Sequence, residues 1–106
     1  MLRKLNTEIK ACAICSEHLA LGPRPVFTAH KKSKIVIVGQ APGLAAHKSG
    51  IPWNDKSGNN LRKWMNIDNN TFYDTKQIAI IPMGFCYPGK GKSGDLAPRK
   101  ECAPRW

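Results

Sequence analysis

The stretch Ile35-Val36-Ile37-Val38-Gly39-Gln40-Ala41-Pro42-Gly43 decides the fold class. Four β-branched residues in a row, with no polar alternation, predict a strand buried on both faces, as in a parallel sheet covered by helices. The turn Gly39-Gln40-Ala41-Pro42-Gly43 follows at the strand's C-terminal end, where ligands bind in open α/β sheets. A second run, Ile78-Ala79-Ile80-Ile81, predicts a second strand of the same kind. Between the two, residues 50–58 form a loop rich in turn formers. A helix is then expected over 57–67, with Leu61, Trp64, Met65 and Ile67 on its buried face, ending in the polar turn Asp68-Asn69-Asn70.

Upstream, Leu2, Leu5, Ile9 and Cys12 recur at spacings of three and four and predict an amphipathic helix over 2–13. Gly22-Pro23-Arg24-Pro25 cannot continue a helix, so 21–33 reads as a loop. Beyond Pro82 the chain turns to Gly, Pro and Lys, and only a short helix near 99–102 is expected. The class is α/β, with two strands too few for a doubly wound sheet, which usually has about four or more. They would leave an unpaired edge and apolar surface in water, so the sheet is expected to be incomplete within these residues.

The chain has 106 residues, enough for one domain at most. Its 17 Lys and Arg against 7 Asp and Glu leave a net charge of +10, which favours an anionic partner such as nucleic acid. At 42% hydrophobic residues it has the means to bury a core, which argues against disorder. The N-terminus carries charge in every turn and lacks the apolar core of a secretory signal, and no run is long enough to cross a bilayer. A cytoplasmic setting without membrane attachment is therefore expected. There, four cysteines suggest metal ligation sooner than disulfides.

Those cysteines are Cys12 and Cys15, in a C-x-x-C pair, and Cys86 and Cys102 on either side of a Gly/Pro-rich loop. Four thiolates can complete a site for zinc or for an iron-sulfur cluster, and spacing alone does not choose between them or exclude scattered free thiols. The segment Gly84-Phe85-Cys86-Tyr87-Pro88-Gly89-Lys90-Gly91 has the spacing of a phosphate-binding P-loop. It lacks the following Ser or Thr, and Pro88 removes a backbone donor. Of the seven carboxylates, only Asp55 falls in the two loops expected to flank the sheet's C-terminal edge. It is the candidate for acid/base chemistry, with a helix N-cap role as the favoured alternative. His18, His30 and His47 are expected to be exposed. Lys31, Lys32, Lys48, Lys56, Arg62, Lys90 and their neighbours supply a basic surface suited to phosphates. Trp53, in a Gly/Pro loop beside that charge, is placed either to stack on a base or to anchor its loop in the core.

Taken in order, Cys12-x-x-Cys15, the strand and turn from Ile35 to Gly43, the loop Gly50-Ile51-Pro52-Trp53 with Ser57-Gly58-x-x-Leu61 after it, and Cys86 and Cys102 resemble one family. It is the uracil-DNA glycosylase superfamily, in particular its iron-sulfur-containing branch. The resemblance implies a three-layer α/β/α fold with a central parallel sheet and a structural four-iron four-sulfur cluster on Cys12, Cys15, Cys86 and Cys102, with zinc as the alternative. It implies a monomeric DNA-repair enzyme that flips uracil out of DNA and hydrolyses its N-glycosidic bond. The turn at Gly39, Gln40 and Ala41 would hold the base, with backbone N–H groups of Gln40 and Ala41 as donors to uracil O2, and Trp53 would stack on the ring. Related members carry Glu, Asp or Asn where Gln40 and Ala41 stand, and Gln40 can orient water but cannot act as a base. Ile81-Pro82-Met83 occupies the place where an Asn often reads uracil. The family's closing histidine loop has no counterpart, so residues 1–106 read as the N-terminal portion of a single such domain. The alternative is a non-catalytic nucleic-acid-binding module stapled by a metal.

Overall fold

The two apolar runs lie side by side as parallel strands, β1 (Ile35–Gly39) and β2 (Ile78–Pro82), in a computed structural model that describes residues 2–106. Their register pairs Ile35 with Ile78 and continues in step to Gly39 with Pro82. On its other side β2 meets a single antiparallel bridge, in which Thr28 and Ile80 exchange backbone hydrogen bonds. β2 is therefore an inner strand, and Ile78, Ala79 and Ile80 are almost fully buried.

The expectation of burial on both faces holds for β2 and fails for β1. Ile35, Val36 and Val38 are 52%, 55% and 62% exposed. The cause is the number of neighbours: among the described residues β1 has a strand partner on one edge only. The apolar surface and unpaired edge expected of a two-stranded sheet are what the molecule presents.

Side chains of β2 alternate between two core clusters, as the period of two in a strand requires. Ile78 and Ile80 join Phe72, with Ile37, Trp53, Leu61, Met65, Ile67 and Tyr73 packed around them. Ile81 points the other way and packs on Ile9, Phe27 and Phe85, together with Cys102 and Trp106. Phe27 and Phe85 meet edge to face at 5.1 Å, a favoured aromatic geometry.

The first helix, α1 (Leu2–Lys10), stops before Cys12, earlier than the spacing predicts, and buries Ile9. A helix absent from the sequence reading, α2 (Leu44–Ser49), follows the Gly43 turn and ends at Gly50 in the left-handed region, φ 74°. The predicted central helix is α3 (Lys56–Met65). Its inward face is Gly58, Leu61, Arg62 and Met65, so Trp64, predicted to be buried, falls outside that face and is 79% exposed. Arg62, counted among the surface cations, is the buried residue of that pair, at 6%. The polar turn at 68–70 is instead a one-turn helix, α4 (Asn69–Phe72), capped by Asp68, whose carboxylate accepts from the Thr71 N–H at 2.8 Å.

Beyond β2 a minimal hairpin forms from β3 (Lys90–Gly91) and β4 (Gly94–Asp95), where no strand was expected. The chain ends in α5 (Cys102–Arg105), close to the predicted helix. Among the described residues no helix is long and apolar enough to cross a membrane.

Candidate functional site

A groove of about 290 Å³ opens at the C-terminal ends of the two parallel strands. Its walls include Gly39, Gln40, Ala41, Pro42 and Gly43 from the β1 turn, Pro52, Trp53 and Asp55 from the loop before α3, and Asp95 from β4. Every residue that the sequence assigned to base binding or catalysis thus lines one cavity.

The floor is fixed by the sheet. The carbonyls of Gly39 and Gln40 accept from the N–H groups of Met83 and Gly84, each at 2.8 Å, which prolongs the strand pairing past its last register pair. The N–H groups of Gln40 and Ala41 have no partner among the described residues and remain available as donors. Gly39 leaves room for an aromatic: a Cβ there would stand 3.4 Å from Trp53 Cζ2.

Trp53 sits in the left-handed backbone region, φ 58°, which is strained for a residue with a bulky side chain. Three neighbours hold it there. Arg62 Nη1 donates to the Trp53 carbonyl at 3.1 Å and to the Tyr73 hydroxyl at 3.1 Å. The Tyr73 hydroxyl in turn donates to the Pro52 carbonyl at 2.7 Å. Gly58 lies directly beneath, and a Cβ at that position would land on the Trp53 carbonyl. The two readings of Trp53 are therefore compatible: it packs on the Phe72 cluster and also faces the groove.

Asp55 caps α3, accepting from the Gly58 N–H at 2.8 Å, which is the structural role the sequence favoured for it. It lines the groove as well. Asp95 was not foreseen at the site. It is brought there by the hairpin, in which it pairs with Lys90. The Tyr87 hydroxyl makes a long 3.5 Å contact with Asp95 Oδ1. Burial, with the Asp95 carboxylate beside it, raises the Tyr87 phenol pKa. The carboxylates of Asp95 and Asp55 approach the same point above Gly43, at 3.8 and 4.0 Å from where its Cβ would be. The sequence signal for Asp95 was the turn Gly91-Lys92-Ser93-Gly94, too short to read as a hairpin.

The three histidines were expected to be exposed, and only His18 is. His30 is half-buried, its Nδ1 accepting from the Lys32 N–H at 3.0 Å. His47 is half-buried beside Tyr87, with ring centroids 5.9 Å apart.

Cys12, Cys15, Cys86 and Cys102 line a separate, common cavity. The first two lie in the turn after α1, the third in the loop after β2, and the fourth opens α5. Burial raises the thiol pKa of Cys86 to about 11, with the negative charges of the other three adding to the effect. The Cys102 and Cys15 thiols are raised as well, first by burial. Cys102 Sγ accepts from the Phe85 N–H at 3.3 Å, and Cys15 Sγ donates to Glu101, which is also paired with Arg99 at 2.8 Å. Four half-buried thiols thus line one cavity, and a bound cation there would favour their ionised, ligating form. Among the described residues no three His, Cys, Asp or Glu side chains converge closely enough to hold a single metal ion.

The comparison with known proteins agrees with the groove. A family model described as the uracil DNA glycosylase superfamily matches residues 25–106, from the loop before β1 through the groove to α5. With that match covering most of the chain, and with the turn, the aromatic loop and the parallel strands in one cleft, the protein belongs to the uracil DNA glycosylase superfamily.

Proposed function

We propose that the chain is a DNA glycosylase that takes a flipped uracil into the groove between the Gly39–Gly43 turn and Trp53 and hydrolyses its N-glycosidic bond. The observation that carries this reading is the convergence of an aromatic face, free backbone donors and carboxylates in one cleft at the strand ends. Breaking the bond from deoxyribose C1′ to uracil N1 builds positive charge on the sugar and negative charge on the base. The site must therefore offer donors to the base and a held water to the sugar. The N–H groups of Gln40 and Ala41 suit the first task. Gln40, Asp55 and the groove's polar rim suit the second, with Gln40 orienting water as donor and acceptor.

Exposed Lys48, Lys56, Lys90 and Lys92 stand on the elements that wall the groove and can grip phosphates on either side of the flipped nucleotide. That grip offsets the few kcal/mol of unstacking that flipping requires.

The thiol cavity supports a four-iron four-sulfur cluster held by Cys12, Cys15, Cys86 and Cys102. The cluster's contribution is structural: it ties the turn after α1 to the loop after β2 and to α5. The same segments are also joined by the Cys15–Glu101 and Phe85–Cys102 hydrogen bonds and by the packing of Cys102 on the Ile9, Phe27 and Phe85 cluster.

The test is one preparation and one assay. Protein purified without oxygen is expected to be brown, with broad visible absorption, and to release free uracil from duplex DNA carrying one uracil. Trp53→Ala is expected to lower release by about 5- to 150-fold, the range for one lost base stack. Salt-dependent DNA binding with no base release would favour a non-catalytic binding module, and a colourless protein with stoichiometric zinc would replace the cluster.

A further inference from the structure

We infer that Asp95, on the β3–β4 hairpin, is the carboxylate that faces the reacting sugar and takes the proton of the attacking water. This rests on the glycosylase reading above and deepens it by naming the group that Gln40 cannot be. Two carboxylates line the groove, and they are not equivalent. Asp55 is committed to α3: one of its oxygens accepts the Gly58 N–H at 2.8 Å, and the positive end of the helix lies against it. Both tie that carboxylate to the first turn of the helix. Asp95 has no helix behind it. Among the described residues its side chain has one hydrogen-bond contact, the long 3.5 Å approach of the Tyr87 hydroxyl to Oδ1, and its Oδ2 lies over Gly43, 3.8 Å from where a Cβ would be against 4.0 Å for Asp55 Oδ2.

The hairpin is built to present this group. Leu96 N–H donates to the Gly89 carbonyl at 2.8 Å, closing the strands behind Asp95. Gly89 and Gly94 take φ values of 107° and 114°, which side-chain-bearing residues avoid, so the turn is made possible by glycine at both positions. Leu96 packs on Gly89 and Gly91, and the outer end of the groove is thereby walled by a folded element.

The step balances without any further reactant. A water held between Gln40 and Asp95 gives one proton to the Asp95 carboxylate while its oxygen bonds to C1′. The C1′–N1 bond breaks with its electron pair passing to uracil, which leaves as the N1 anion beside the Gln40 and Ala41 N–H groups. Before the bond to water forms, the carboxylate also faces the positive charge on the sugar.

That charge gives a test that does not depend on turnover. Duplex DNA containing one cationic pyrrolidine in place of a deoxyribose imitates the charged sugar, and a tetrahydrofuran abasic site is its neutral match. The wild type, and Glu17→Gln as a control that removes a carboxylate remote from the groove, are expected to bind the cationic duplex at least 10-fold more tightly than the neutral one. Asp95→Asn is expected to lose that preference while keeping its affinity for the neutral duplex and its melting temperature. If Asp95→Asn keeps the preference, the assignment is wrong. If Asp55→Asn alone abolishes it, the role passes to Asp55. If neither analogue is bound better than undamaged duplex by any form, the glycosylase reading itself fails and this inference with it.

Discussion

Arg62 is a cation in a place where a charge survives only if its donors are used. It is 6% exposed and gives hydrogen bonds to the Trp53 carbonyl, the Tyr73 hydroxyl and Asn59 Oδ1, at 3.1, 3.1 and 2.9 Å. Its guanidinium also lies over the Phe72 ring at 4.9 Å. Replacing it by Met keeps the length and leaves two buried acceptors unmatched, a loss of about 2–4 kcal/mol. Urea denaturation of Arg62→Met is expected to give that loss, and Arg62→Lys is expected to recover little, because an ammonium cannot reach along two arms of a fork. Equal stability of the three proteins would refute the clamp. Nothing in the sequence distinguishes Arg62 from its neighbour Lys63. What buries it is a carbonyl from the 52–53 loop and a hydroxyl from the end of α4, partners set by tertiary contact rather than by periodicity.

At the scale of the element, α3 joins the groove to the core through its first turn. Asp55 caps it from outside and Gly58 lies under Trp53 within it. Helix propensity alone favours Gly58→Ala by about 1 kcal/mol. Here the added methyl would occupy the position of the Trp53 carbonyl, so the substitution is expected to lower stability and to displace Trp53. Thermal melts and uracil release measured side by side would register both effects, and a more stable, fully active Gly58→Ala would contradict the packing. Asp55→Asn keeps the cap and should leave the melting temperature in place, whereas Asp55→Ala should remove about 1 kcal/mol. The start of this helix was legible because Asp55 and Ser57 precede an apolar repeat. Trp64 was misplaced because an aromatic at that spacing looks inward, while the actual inner face is centred on Gly58 and Met65. The short elements α2, α4 and the β3–β4 hairpin were not legible. Each is too brief for periodicity to emerge, and each is held by caps, left-handed glycines or a neighbouring loop.

At the scale of the whole molecule, the strand pattern identified the strands, their parallel pairing sense and the burial of β2, but not the exposure of β1. β2 became interior because Thr28 pairs with its far side, a contact no local pattern announces. β1 is left as an edge. Ile35 N–H bonds the Gln77 carbonyl at 3.0 Å and Met83 N–H bonds the Gly39 carbonyl at 2.8 Å, so odd-numbered residues of β1 turn their backbone groups toward β2. Val36 and Val38 turn theirs to the open side, and both side chains are more than half exposed. An apolar edge of this kind pairs with other chains unless something opposes it. The opposing force here is the net charge of +10, which is long-ranged and is screened within about 10 Å at 0.1 M salt. Sedimentation is therefore expected to find association growing as salt rises from 0.05 to 0.5 M, on the order of one Debye-length halving or more. DNA binding must weaken over the same range, because it depends on phosphate contacts. The double substitution Val36→Lys and Val38→Lys is expected to abolish the association and leave the melting temperature nearly unchanged, since neither side chain is buried. A protein that stays monodisperse at all salt concentrations, or a double variant that associates as before, would place the cause somewhere other than the β1 edge.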